Sequence, residues 1–200
     1  MSVRSPWMLP GHALAALLMA AAGAAWTGHE ALAAPSGSGY TRSSGHYLVP
    51  EVELLDTDRA SVPLARVLSG DNPVMLNFIF TGCGSVCPAM SASFARVQAE
   101  LGRERRDLLL VSISVDPEQD SPLALRNYAR HYGAGPRWKL LTGGGSTAVQ
   151  RAFGAYPSGD KADFVPVTLI RAGANKPWLR LEGAASAADL MREYRLLAAR

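Results

Sequence analysis

Cys83 and Cys87 are the only two cysteines of the 200-residue chain, and they share one short motif, Cys83-Gly84-Ser85-Val86-Cys87-Pro88. The motif follows the apolar run Val74-Met75-Leu76-Asn77-Phe78-Ile79-Phe80 and opens a helix-like stretch that starts near Pro88. Two thiols at a strand-to-helix turn can share a soft metal ion or exchange electrons as a disulfide. A helix N-terminus carries about half a positive charge, which favours thiolate, and thiolate is both the nucleophile and the metal ligand. A merely structural bridge has little to offer, because closing so short a loop constrains little of the unfolded chain.

The elements that must hold this motif are legible on both sides of it. Val74–Phe80 and Leu108–Val115 are apolar at nearly every position, as central strands buried on both faces are. Between them Met90, Phe94, Val97 and Leu101 recur at helical spacing, and Pro88 suits a first turn, where a missing N–H costs nothing. Val52–Asp56 reads as a short strand and Pro63–Leu68 as one helical turn. Ser121-Pro122 opens a helix with Leu125, Tyr128 and Tyr132 inward and Gly133 as its stop. Trp138–Leu141 is a short strand, and Ser146 caps a helix through Val149 and Phe153. Val167–Ile170 and Trp178–Leu181 form a hairpin, and Ser186 caps a final helix carrying Leu190, Tyr194 and Leu197. A parallel βαβ unit followed by a hairpin and a last helix predicts an α/β, thioredoxin-like fold, a central mixed sheet flanked by helices.

The N-terminus reads as an export signal. Arg4 precedes the apolar core Ala13–Ala22, and Ala31-Leu32-Ala33 is a cleavage site, so residues 1–33 are a signal peptide. An uncleaved N-terminal anchor is the alternative membrane attachment. Residues 34–46 are rich in Ser and Gly and read as a flexible tether, leaving 47–200 as one domain. The expected location is periplasmic, an oxidising compartment in which two cysteines are free to pair. The net charge is +3 with a sequence pI near 9.1, but no basic stripe alternates with aromatic residues, which argues against a nucleic-acid partner. Gly143-Gly144-Gly145 lacks the Lys-Ser/Thr of a phosphate loop.

Phe80-Thr81-Gly82-Cys83-Gly84-Ser85-Val86-Cys87-Pro88 resembles the signature of the Sco/SenC family of copper-handling proteins, which use Cys-x-x-x-Cys-Pro. Ser112–Pro122, Tyr128–Gly133 and Trp138–Gly143 continue the resemblance, which covers roughly residues 47–197. It implies a thioredoxin-like fold, copper bound through Cys83 and Cys87, and delivery of copper or reduction of thiols during cytochrome oxidase assembly. The implied partner is the oxidase's copper-site subunit or another periplasmic thiol protein. The alternative is a thiol-disulfide oxidoreductase or electron carrier that holds no copper stably, with Cys83 attacking and Cys87 resolving.

The chain departs from the family at the third ligand. Where the family pattern has a His before an apolar strand, this chain reads Asp163-Phe164-Val165-Pro166-Val167, and no histidine follows His131. Two thiolates suit Cu(I), whereas Cu(II) prefers nitrogen in its shell. Met90 carries a thioether three residues after Cys87 but also begins the apolar stripe of its helix. His46 can reach the thiols only if the tether folds over the site at an entropic cost. His131 falls in the last turn of its helix, where positive charge is favoured. The resemblance also points Asp116 toward the cysteines, as a group that orients a thiol or relays a proton, beside its plainer reading as a turn residue. Pro166 takes the place of the cis-proline that faces the cysteine pair in thioredoxin-like oxidoreductases, where it helps dock a peptide or thiol beside Cys83.

Overall fold

The computed structural model describes residues 39–104, 107–155 and 164–199. The predicted signal peptide and the first residues of the predicted tether lie outside them. The order is β1 (Tyr40–Gly45), β2 (Glu53–Leu55), β3 (Ser61–Pro63), α1 (Leu64–Leu68), β4 (Val74–Ile79), α2 (Val86–Glu104), β5 (Leu109–Ser114), α3 (Pro122–His131), β6 (Trp138–Leu141), α4 (Ser146–Ala152), β7 (Val167–Arg171), β8 (Trp178–Gly183) and α5 (Ala187–Ala198). Six strands form one mixed sheet in the order β1-β8-β7-β4-β5-β6, and β2 pairs with β3 apart from it.

Every residue of β4 is buried, Asn77 included, as its nearly continuous apolar run predicts for a strand covered on both faces. Its side chains alternate between two cores. Met75 and Ile79 join Phe94, Val97, Leu125, Leu190 and Tyr194 beneath α2, α3 and α5. Leu76 and Phe78 join Leu64, Leu68, Val149 and Phe153 on the face covered by α1 and α4. β4, β5 and β6 run parallel, whereas β7 runs antiparallel to β4. The C-terminal ends of β4, β5 and β6 therefore share one pole of the sheet with the start of β7. In parallel sheets that pole is where the loops carry function.

Three local readings are corrected. Tyr40–Gly45 of the supposed tether is an edge strand, registered on β8 from Tyr40↔Gly183 to Gly45↔Trp178. Its sequence is polar because only Tyr40 turns inward, so nothing local announces a strand. Its partners are non-local: the Tyr40 hydroxyl donates to Glu193 Oε1 at 2.9 Å, and Arg42 Nη2 lies 2.9 Å from Glu193 Oε2. α2 begins at Val86, two residues before Pro88, so its first turn takes in Cys87 together with Pro88. Ser146 is the first residue of α4, not its cap. Gly145 stands at the cap without a side-chain bond, while Ser121 and Ser186 do cap α3 and α5.

Gly183 closes β8 at φ +120°, and a Cβ there would lie 2.4 Å from Gly39 O and 2.9 Å from Tyr40 Cα. Gly183→Ala is expected to push β1 off the sheet edge. The loss should be about 1–3 kcal/mol of unfolding free energy, the range for strained backbone. Urea denaturation measures it, and accelerated amide exchange confined to β1 and β8 places it.

Candidate functional site

The thiol loop occupies the pole where β4, β5 and β6 end. Cys83 N–H donates to Phe80 O at 3.2 Å, which turns the chain out of β4 and lifts Cys83 to a half-buried position. Cys87 follows in the first turn of α2, is fully buried, and packs into the core beneath that helix. The backbone N–H of Cys87 donates to Cys83 Sγ at 3.4 Å, and Ser85 Oγ lies 3.7 Å from the same sulfur. Both thiols are free.

These surroundings divide the pair. Partial burial opposes ionisation of Cys83, but hydrogen bonds from the Cys87 thiol, the Cys87 and Ser85 backbone N–H groups and the Ser85 hydroxyl outweigh it. Together they bring the Cys83 thiol down to about 7. Burial foremost, then the hydrogen bond given to Cys83 and the charges of Cys83 and Asp120, push the Cys87 thiol up to about 12, against a contrary bond from the Phe80 backbone. Cys83 is thus the more accessible and more readily ionised thiol and Cys87 the buried, protonated one, the division that a two-step thiol exchange would use. Iodoacetamide should label Cys83 alone, at a rate that climbs with pH through about 7 and then levels. Peptide mass mapping reads this out, and equal labelling of Cys87 in the native protein would contradict it.

Asp120 is the acidic residue that ties the site together. It is fully buried. Its carboxylate accepts from Thr81 N at 3.0 and 3.2 Å, from Thr81 Oγ1 at 2.5 Å and from Ser114 Oγ at 2.6 Å. It therefore clips the loop leaving β4 to the end of β5. Asp116, the residue weighted in the sequence, is half-buried at the head of the following turn. Its backbone N–H donates to Ser114 Oγ at 3.0 Å, and its carbonyl accepts from Gln119 and Asp120. Behind Cys87, Ser91 Oγ lies 2.8 Å from the Tyr128 hydroxyl and joins α2 to α3; burial foremost pushes that phenol up. Neither Asp120's clip nor the Ser91–Tyr128 contact is announced by spacing, because each joins residues more than 30 positions apart.

The other candidates separate by position. Phe164 packs its ring edge-on against Phe80 at 5.8 Å between centroids, beside the residue that begins the thiol loop. Pro166 follows at the same pole, half-buried, its carbonyl accepting from Gly183 N at 2.8 Å. Met90 is 6% exposed, in the buried stripe of α2 with Phe94 and Val97. His46 follows Gly45, which pairs with Trp178 at the start of β8, so it lies at the pole opposite the thiols. The tether does not bring it over the site, because β1 fixes the chain just before it. His131 ends α3, nine residues after Pro122, or about 13 Å along the axis from the thiol pole. Among the described residues, no group of three or more His, Cys, Asp or Glu side chains is arranged to hold a metal ion, and no helix is long and apolar enough to cross a membrane.

The SCO1/SenC family model matches residues 43–163, more than half of the chain. A SCO1 protein homolog of Bacillus subtilis is 36% identical over 77 residues, which span 38% of this chain and 40% of that protein. The match thus spans less than half the length of this relative. BsSco, described as a member of the Sco family of cytochrome c oxidase assembly proteins with a disulfide switch, superposes with a TM-score of 0.64 at 24% identity, over 80% of this chain and 98% of that one. Copper-bound ScoI of Arabidopsis thaliana gives 0.57 at 20% identity, over 76% and 95%. These likenesses to solved structures establish the thioredoxin-like fold.

Proposed function

The chain belongs to the SCO1/SenC family, and on that premise we propose that Cys83 and Cys87 take up copper as Cu(I) and pass it to an exported partner, the copper-site subunit of a cytochrome oxidase. Copper here is cargo, and the donor set suits its reduced form. Two thiolates satisfy a soft monovalent ion, which tolerates two sulfur ligands, whereas Cu(II) asks for nitrogen. The observation that carries the reading is the pairing of a half-exposed thiol near pH 7 with a buried one a helical turn away. The first can meet incoming copper in an exchange between proteins, and the second can complete the site. The export signal read in residues 1–33 supports a periplasmic setting, by release or by an N-terminal anchor.

A second reading rests on the placement of His46 and His131 away from the thiol pole, and on Phe164 beside it, a ring without a donor atom. In that reading the pair is a thiol-disulfide oxidoreductase, acting on the cysteines of a copper site rather than carrying the metal.

The two are separated by anaerobic titration of the fully reduced protein with Cu(I) against a chromophoric chelator, followed by thiol counting after Cu(II) addition. One Cu(I) withheld from the chelator per chain supports carriage. No retained Cu(I), with rapid conversion of both thiols to a disulfide by Cu(II), supports the oxidoreductase.

A further inference from the structure

We propose that Asp120 is the positioning residue of the dithiol: by fastening Thr81 to the end of β5, its carboxylate holds the loop that carries Cys83 within closing distance of Cys87. The proposal rests on the reading of Cys83 and Cys87 as the working pair, and adds a residue that acts on it through Thr81.

The geometry is specific. Gly82 and Gly84 flank Cys83, and a Cβ built on either would meet nothing within 4 Å, so neither glycine is held by packing, although Phe80, Cys83 and Val86 rest partly buried against the core beneath α2. β4 ends at Ile79 and α2 begins at Val86. Between them the anchors are few: Cys83 N–H on Phe80 O at the base of the turn, Cys87 N–H on Cys83 Sγ at its end, and Thr81 on Asp120. The Asp120 anchor reaches outside the loop and its helix to the end of β5, as the Phe80 ring does toward Phe164. It uses both the N–H and the hydroxyl of Thr81, and Ser114 Oγ holds the same carboxylate from β5. A buried carboxylate whose bonds come from two hydroxyls and one backbone N–H has no cationic partner among the described residues to offset its desolvation, an expensive arrangement to keep for packing alone.

Positioning has a measurable consequence in the equilibrium with glutathione. The Cys83 thiolate attacks one sulfur of oxidised glutathione, the S–S bond breaks, and one glutathione leaves and takes up a proton. Cys87 then gives up its proton and attacks Cys83 in the mixed disulfide, releasing the second glutathione and closing the Cys83–Cys87 bond. The second step is intramolecular, and its advantage is the effective concentration of one sulfur at the other. A loop freed at Thr81 spreads Cys83 over more positions and lowers that concentration.

The experiment equilibrates wild type, Asp120→Asn, Thr81→Val and Thr81→Ser in reduced and oxidised glutathione, with mass spectrometry resolving dithiol, disulfide and mixed disulfide. Thr81→Ser keeps both donors and should match wild type. Thr81→Val and Asp120→Asn should form the internal disulfide roughly tenfold less favourably, about 30 mV in potential, and accumulate the glutathione adduct. Thermal unfolding of each variant is measured alongside. Lower melting temperatures with an unmoved equilibrium in both variants would overturn the proposal and leave Asp120 a structural group. Failure of the wild type to form an internal disulfide at any glutathione ratio would instead remove the dithiol reading beneath it.

Discussion

Replacing either cysteine by serine should lower Cu(I) affinity about 10²–10⁴-fold, the advantage a second ligand gains when it is already tethered beside the first. The two variants should weaken copper alike and part company in thiol chemistry. Cys87→Ser keeps the half-exposed Cys83, near pH 7 in its ionisation only while its neighbour donates to it. The serine hydroxyl and the residue 87 N–H can still give those bonds, so this variant should react with oxidised glutathione and stop at the mixed disulfide. Cys83→Ser leaves only a buried thiol, which burial itself pushes up. It should be inert to the same reagent until the protein unfolds. The outcome that would sink the division of labour is reversal: a glutathione adduct on Cys87 in the native protein, or none on Cys83. Chelator competition measures the copper arm, and intact-mass analysis the thiol arm.

That division was half legible in the sequence. The motif and the buried runs around it determine where the thiols stand, because β4 is buried at every residue and β5 at every residue after Leu109, and α2 carries its stripe in Phe94, Val97 and Leu101. Local chemistry also marked the ends of α3 and α5, where Ser121 and Ser186 accept from backbone N–H groups three residues on. What stayed hidden is non-local. β1 has one inward side chain, so its strand character comes from the edge of β8 and from Glu193, far along the chain. β3 is three residues long and exists through β2. Asp120 and Asp116 stand four apart in one turn, and sequence alone does not say which turns in. The answer depends on Thr81 arriving from the neighbouring strand. The histidines show the same limit in reverse: His46 was near the domain in sequence, and the register of β1 carries it to the far pole.

Phe164→His should convert the site from one that gives up Cu(II) to one that keeps it. The wild type is expected to oxidise instead: two cupric ions each take one electron from the dithiol, two protons leave, and the products are the Cys83–Cys87 disulfide and Cu(I). A nitrogen ligand opposes this by stabilising the oxidised metal against its thiolates. Phe164 is the position to test, because its ring stands 5.8 Å from that of Phe80, the residue that precedes the thiol loop, and is only partly buried. An imidazole there loses an edge-to-face contact worth about 0.5–1.5 kcal/mol, which a domain with two large cores can absorb. Cu(II) affinity should rise roughly tenfold or more, each tenfold being about 1.4 kcal/mol, and a thiolate-to-copper absorption band should persist with both cysteines unoxidised. Phe164→Leu serves as the control, since it loosens the Phe80 contact without offering a ligand and should oxidise as the wild type does. If Phe164→His also oxidises at the wild-type rate with no persistent band, then residue 164 does not face the copper, and the family's histidine has no counterpart at this position.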